Sequence, residues 1–500
     1  MKSFCLNFQK DPPTLDPRKC GDFISSAAIF LLYKGLTRLE ANHQITYDIA
    51  NSIYISQDGR TYEFHLGDCF WSDGHPITAL DFENSWKTVL NPDFPALSAH
   101  LFYPIKNAEK AKKGLVPVKD VGIHAKSPKV LVVELEYPTP YFLELTGFCC
   151  FFPVPSHLPF SEEQCLSSGA FQLVHWKKGD EILLKKNEFS RNLYKVSLNE
   201  IKILITGDEQ KALDLFEKGE LDWIGDPISP LPIDAIPKLF QKRKVIPVGG
   251  LISCFFNTLQ FPFHNRNMRK AFSFAINRKK ILDKFLLPNT HIATSPVPPI
   301  LKNNLSTDLF EDGRVDLAQS LFQKACQELK EKPSSLSLKL SFESSELGFK
   351  LAKELQEDWK NAFDISVKLE PLEFKALYGK LTSRDFSLSF SRWAAQYNDP
   401  MNILERFKFR ENSKNFSGWE NSDYIHLLNR YMKTPQVEKR LEVAMQAEKL
   451  LIEDMPIAPI YYFSYTYLQK PHVKNLAVSP IGVFHFDRVY LEKEQAGITG

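Results

Sequence analysis

Apolar and polar residues follow two rhythms along this chain, and segments of the two kinds take turns from end to end. Alternation marks a half-buried strand; a repeat near 3.6 marks a helix with one apolar face. Ile45 to Ile55, then Gln57-Asp58-Gly59-Arg60, then Thr61 to Leu66 predicts strand, turn and strand, because Asp-Gly favours a hairpin. Thr78 to Trp86 predicts a helix start, with Thr78 as N-cap, acids in the first turn and apolar residues at helical spacing behind them. Gly122 to His124 and Val130 to Leu135 form a further strand pair. Phe171 to Trp176 and Ile182 to Lys186 form a hairpin around Lys178-Gly179-Asp180, and Ile201 to Ile205 is a buried strand. Glu209 to Lys218 is a helix ended by Gly219. Arg269 to Leu286 and Asp316 to Leu329 are helices, the second closed by Pro333. Leu336 to Leu340, Glu346 to Asn361 and Ile365 to Leu369 give a β-α-β order, hence a right-handed crossover and a parallel pair. The predicted class is α/β, with mixed sheets flanked by helices.

Length changes this picture first: 500 residues exceed one ordinary core, so two or three domains are expected. At 43% hydrophobic and 24% charged residues the chain is an ordinary globular protein, not a disordered one. Lys+Arg 62 against Asp+Glu 60, a net charge of +2, argues against a nucleic-acid partner, which needs a basic surface. The 39 Phe suit a core, and also a cleft that holds varied apolar side chains. No run approaches the ~20 apolar residues that span a membrane. The most apolar stretch, Phe142 to Pro155, is broken by Gly147, Pro153 and Pro155. Met1 to Cys5 has no apolar signal segment, which read literally means a cytoplasmic protein. A trimmed form of an exported protein would look the same, and that is the reading carried forward. The eight cysteines include no Cys-x-x-Cys pair; disulfides and buried thiols both remain open. Twelve histidines lie scattered with no pair at zinc spacing, so no metal ligands and no cofactor are expected. Gly-x-Ser-x-Gly, His-Glu-x-x-His and the phosphate-binding glycine motifs are missing, so the chain is not expected to be an enzyme.

Several segments, in order, resemble family 5 of the extracellular solute-binding proteins, the oligopeptide- and dipeptide-binding proteins of bacterial ABC importers. Thr14-Leu15-Asp16-Pro17 resembles "TLDP", Leu32 to Leu36 resembles "YEGL", and Ser56 to Leu66 resembles "SDDGLTYTFHL". Trp71 to Phe82 resembles "FHDGTPFTAEDV", the most specific stretch. Ser168 to Trp176 resembles "GPYKLVEW", Phe256-Asn257-Thr258 resembles "FNT", Met268 to Arg278 resembles "VRQALSYAIDR", and Met455 to Tyr462 resembles "IPIIPLYY". The resemblance covers essentially the whole chain.

The resemblance implies a two-lobed periplasmic-binding-protein fold with an extra domain in the first lobe and a ligand cleft between lobes. Lobe I is expected from 1–35, 165–257 and 471–500, the extra domain from 36–164, and lobe II from 258–470. The crossings fall at Ser253 to Thr258 and near Tyr467 to Pro471. The expected function is capture of oligopeptides or peptide-like solutes and delivery to ABC permease subunits in the inner membrane. The expected form is a monomer, periplasmic or at the cell surface, free or lipid-anchored. Alternatives are a receptor for a modified or cell-wall-derived peptide, for a non-peptide solute such as a metal chelate or haem, and a chaperone or sensor.

An engulfed peptide needs partners for its backbone groups, each costing roughly 1–3 kcal/mol if left bare. Family members supply them by pairing the peptide as an added strand. Here the pairing segments are expected near Pro12-Pro13-Thr14 and at Trp393-Ala394-Ala395; prolines offer no N–H, so the first gives fewer contacts. Gln396 stands where peptide binders usually carry the aspartate that holds the terminal ammonium, and it is neutral. Either the ligand has no free α-amine there, or Asp399 or another acid such as Glu373 takes its place; Asp399 is otherwise a turn cap before Pro400. Arg392 is a carboxylate fork or a surface ion pair. Trp393 and Tyr397, with Tyr461 and Tyr462 on a second wall, line the cleft or pack a core. Trp71, Trp86 and Trp176 are expected in the core, and His65 and His75 are expected to be structural.

Overall fold

A computed structural model describes residues 3–285, 290–305 and 308–492. The chain divides into two compact units, one built from 1–245 and 465–500, the other from 246–464.

In the first unit, Phe4–Phe8 lies at the heart of a seven-stranded sheet, parallel to Glu200–Ile205 on one side and to Trp223–Gly225 on the other. Glu181–Lys186 and Phe171–Lys177 extend it as the predicted hairpin. On the far side Tyr467 to Gln469 pair antiparallel with Trp223–Gly225, and Lys244–Pro247 forms the seventh strand beyond them. His472 Nε2 lies 2.7 Å from Asp222 Oδ1 across 250 residues of sequence.

A separate antiparallel sheet of the same unit runs Ala50–Ile55, Thr61–Leu66, Val130–Glu134, Ile123–Ser127. Helix Ala79–Val89 packs on it, capped as predicted: Thr78 N–H donates to Asp81 Oδ2 at 2.7 Å. The single strand expected over 45–55 is two. The Asp48 and Ile49 N–H groups turn instead to the carbonyls of Leu36 and Gly35, and Ile45–Tyr47 pairs with Thr37–Leu39. Gly35 itself packs against a different segment, where a Cβ would meet Thr146 O at 2.5 Å. Trp71 and Trp86 are buried as expected. Trp176 is not core: it is half-buried, and its Nε1 donates to Asp11 Oδ1 at 2.7 Å.

The second unit is built on a six-stranded mixed sheet ordered His291–Ile292, Ile457–Tyr462, Gly250–Phe256, Leu388–Ala394, Leu338–Glu343, Val367–Leu372. The last two strands are parallel and joined through helix Glu346–Phe363, the predicted β-α-β unit. The helix expected over 269–286 is broken into Arg266–Phe274 and Arg278–Phe285, with Leu286 outside the described residues. Arg278 explains the break. Its guanidinium is wholly buried and takes the carbonyls of Ser273 (3.1 Å), Ile276 (3.3 Å) and Pro459 (2.7 Å), two of them at the end of the first helix. Lys302 and Glu448 form a second buried charge centre, 2.9 Å apart, joined by the Ser295 hydroxyl.

No disulfide joins the eight cysteines. Seven are buried, and the sulfurs of Cys20 and Cys149 touch at 3.1 Å.

Candidate ligand-binding strand

Strand Leu388–Ala394 has two unlike sides. Along one, it is registered antiparallel to Gly250–Phe256 over its whole length, from Leu388 opposite Phe256 to Ala394 opposite Gly250. Along the other, Leu338–Glu343 is registered against Leu388 and Ser389 only. Among the described residues no strand continues on that side beyond Ser389. Main-chain groups of successive residues point to opposite sides of a strand. The Ala395 N–H donates to Gly249 O at 2.7 Å, so Phe390 and Ala394 turn their amide and carbonyl the other way, toward the open side. An open edge of this kind can take an added strand.

The turn that follows is held from within the unit. The Asn402 side-chain oxygen accepts the Gln396 and Tyr397 N–H groups at 3.2 and 2.9 Å. Tyr397 is buried, its hydroxyl donating to Glu405 Oε1 at 2.8 Å. Asp399 is buried as well. Its Oδ1 accepts the Met401 N–H at 2.8 Å, and the Tyr431 hydroxyl stands 2.8 Å from both of its oxygens. Burial pushes the Asp399 carboxyl up, against the pull of these hydrogen bonds. Both carboxylate oxygens thus have partners from the same unit. Glu373 sits exposed before helix Phe374–Ser383.

Trp393 is 7% exposed, and among the described residues its indole N–H meets no acceptor. Over its ring lies Arg406, guanidinium carbon 4.7 Å from the centre. The Arg406 Nε donates to Asn402 O at 3.2 Å. Lys408 and Lys414 follow, the latter 5.9 Å from the Tyr378 ring centre. Among the described residues no carboxylate lies within 4.0 Å of the charged atoms of these three side chains. Burial lowers Arg406 to about 10, opposed by Tyr397 and Glu405. Burial, helped by Arg406, lowers Lys414 to about 8, and burial lowers Lys408 too. Sequence reasoning missed these cations. Arg406-Phe407-Lys408-Phe409-Arg410, with a cation at every second place between phenylalanines, was the available signal.

Arg392 is exposed and lies in register with Ile252, whose other neighbour is Tyr461, so the three form a row across three strands. Tyr461 is buried, and the Tyr462 hydroxyl donates to Ser295 O at 2.8 Å, beside the Lys302–Glu448 pair. Pro13 and Thr14 belong to the first unit. Pro13 is exposed; Thr14 is buried, donating its N–H to Ser25 Oγ at 3.3 Å and its hydroxyl to Glu162 Oε1 at 2.7 Å. The histidines are less scattered than the sequence implied. His75 and His157 stack with centroids 4.3 Å apart, and each has a ring nitrogen within 3.0 Å of Asp73 Oδ2.

The profile of the bacterial extracellular solute-binding proteins, family 5 Middle, matches residues 44–415. The chain belongs to this family. An oligopeptide-binding protein OppA of Bacillus subtilis is 33% identical over 97% of this chain and 92% of its own. A probable deoxycholate-binding periplasmic protein, YgiS of Escherichia coli, is 29% identical over 94% of this chain and 90% of its own. The solved oligopeptide-binding protein OppAIV of Borrelia burgdorferi superposes with a TM-score of 0.85 at 26% identity, covering 98% of this chain and 100% of that one. The α/β fold expected from the resemblance is thus the family 5 fold. The family consists of solute-binding proteins of the extracytoplasmic space, and no described helix is long and apolar enough to cross a membrane.

Proposed function

We propose that this family 5 protein is the substrate-binding protein of an ABC importer, capturing oligopeptides or peptide-like solutes along strand Leu388–Ala394 and passing them to permease subunits. The half-paired strand carries the reading: one side is fully registered, the other stands open beyond Ser389. Its open amides and carbonyls give backbone recognition without sequence choice. Similarity to the B. subtilis oligopeptide-binding protein over nearly the whole chain supports the same solute class. The protein acts as an exported monomer, free or lipid-anchored, and performs no chemistry on its ligand.

The ligand presents negative charge near this strand rather than an ammonium. Gln396 is neutral, the Asp399 carboxylate bonds Met401 and Tyr431, and among the described residues Arg406, Lys408 and Lys414 have no carboxylate oxygen within 4.0 Å, Glu405 acting on Arg406 and Lys408 only from farther off. A half-buried cluster of three cations with no close ion-pair partner favours a negative group beside it, so an acidic ligand group is the natural complement. A second reading, an anionic non-peptide solute, draws on the same cations and on the likeness to the probable deoxycholate-binding protein.

Native mass spectrometry of the purified protein, followed by denaturing release, tests the reading. Short peptides carrying acidic residues or blocked amino termini are expected. A single non-peptide anion would favour the second reading, and peptides selected for a free amino terminus would overturn the charge assignment.

A further inference from the structure

Far from that strand in sequence, the first unit brings Asp73, His75 and His157 together. His75 Nδ1 lies 3.0 Å, and His157 Nε2 2.9 Å, from the same carboxylate oxygen, Asp73 Oδ2. All three atoms fall within 4.8 Å of one another. Two imidazoles and a carboxylate form a donor set suited to a borderline divalent ion. With metal–ligand bonds of about 2.0–2.1 Å, neighbouring donors stand about 3.0 Å apart in an octahedron and about 3.4 Å apart in a tetrahedron. The two spacings to Asp73 Oδ2, 3.0 and 2.9 Å, already lie within a few tenths of an ångström of these values, and the two imidazole nitrogens, within 4.8 Å of each other, close on the ion as it binds.

The three side chains are held by independent supports. Asp73 and His75 flank Gly74, whose φ of +87° makes the tight turn between them. The His75 main-chain N–H donates to Asp73 Oδ1 at 3.0 Å, fixing the carboxylate so that its other oxygen meets the rings. The turn is closed by Trp71 N–H to His75 O at 2.8 Å. His157 comes from a distant segment, pinned where the Ser156 N–H donates to Asp81 Oδ1 at 2.7 Å. The side chains are 25, 61 and 27% exposed for Asp73, His75 and His157, so an ion in solution can reach them.

We propose that Asp73, His75 and His157 form a binding site for a divalent first-row transition-metal ion, which clips the 71–76 turn to the 155–158 segment. The ion replaces the two contacts that now converge on Asp73 Oδ2, and water completes its coordination. The site is independent of the solute reading above, being built wholly within the first unit.

The test is zinc titration calorimetry on chelator-stripped protein that carries no polyhistidine tag. One zinc ion per chain is expected, with a rise in melting temperature as zinc is added. His75→Ala and His157→Ala should each weaken binding more than about tenfold and abolish that rise. The zinc-free melting temperature of each variant is the baseline from which its rise is read. Unchanged stoichiometry and affinity in the double variant, or no saturable binding to the unaltered protein, would overturn the site. Cobalt(II) absorption gives a second readout free of any variant: bands of a histidine-ligated ion are expected, and the spectrum of the hydrated ion would also overturn it.

Discussion

The guanidinium of Arg406 rests 4.7 Å above the ring of Trp393, its Nε bonded to Asn402 O; among the described residues no carboxylate oxygen lies within 4.0 Å of the guanidinium and no acceptor meets the indole N–H. Stacking on an aromatic face holds an arginine in place while leaving its terminal N–H groups available. This pair therefore sits as a fixed positive charge beside the strand proposed to receive the ligand.

Arg406→Ala should weaken binding of peptides with an acidic residue by roughly 10–100-fold, the range of one charge-assisted hydrogen bond. Neutral peptides should change less than about threefold on the same scale. Arg406→Lys should fall between, keeping the charge but not the planar stack. Isothermal titration with matched acidic and neutral peptides decides it; equal losses for both would remove Arg406 from charge recognition.

Lys414 gives that recognition a pH dependence. Burial and Arg406 hold its amine at about 8, so it is charged below that pH and neutral above. A bound anion raises the amine's pKa, so affinity for acidic ligands should be full below pH 8 and decline as pH rises from about 8. Lys414→Met should flatten the profile between pH 7 and 10. A wild-type profile already flat there would mean that Lys414 does not face the ligand.

Gln396→Asp should raise affinity for unmodified peptides with a free amino terminus by roughly tenfold or more, as a new charged hydrogen bond would. N-acetylated peptides of the same sequence should not gain. If calorimetry finds no gain for the free amine, the ammonium does not sit at this position.

Glu448→Ala should destabilise the second unit by about 3–5 kcal/mol, because it strands the wholly buried Lys302 ammonium. Exchanging both partners for apolar residues, Lys302→Met with Glu448→Leu, should recover much of that loss. Urea unfolding of the three proteins measures it, and a single variant no less stable than the double would refute the account.

What the sequence disclosed follows from what is local. Capping at Thr78, the Gly219 helix end and the β-α-β order of the second unit all depend on neighbours within a few residues, and all are found. The break at Ala275 to Asn277 was hidden because its cause, Arg278 seeking the Pro459 carbonyl, lies 181 residues away. Asp399 could be read either as a ligand acid or as a turn cap, and its contact with Tyr431, 32 residues on, could not be read from its neighbours. Arg406 and Lys414 went unnoticed, since nothing in their own spacing reveals Trp393 and Tyr378 beside them. His75 and His157 lie 82 positions apart and are joined by the fold alone.

The strand Trp223–Gly225 completes its pairing with residues from the chain's last stretch, and Asp222 next to it waits for His472, 250 residues on. At synthesis rates of roughly 5–20 residues per second, that partner emerges roughly 12–50 s later. For that interval one edge of the largest sheet stands uncovered while the intervening unit, contiguous in sequence, can already fold. The topology thus lets the inserted unit fold before the first is complete, and residues 467–469 supply the strand that joins Trp223–Gly225 to Lys244–Pro247, covering pairing groups that would otherwise stand open to other chains.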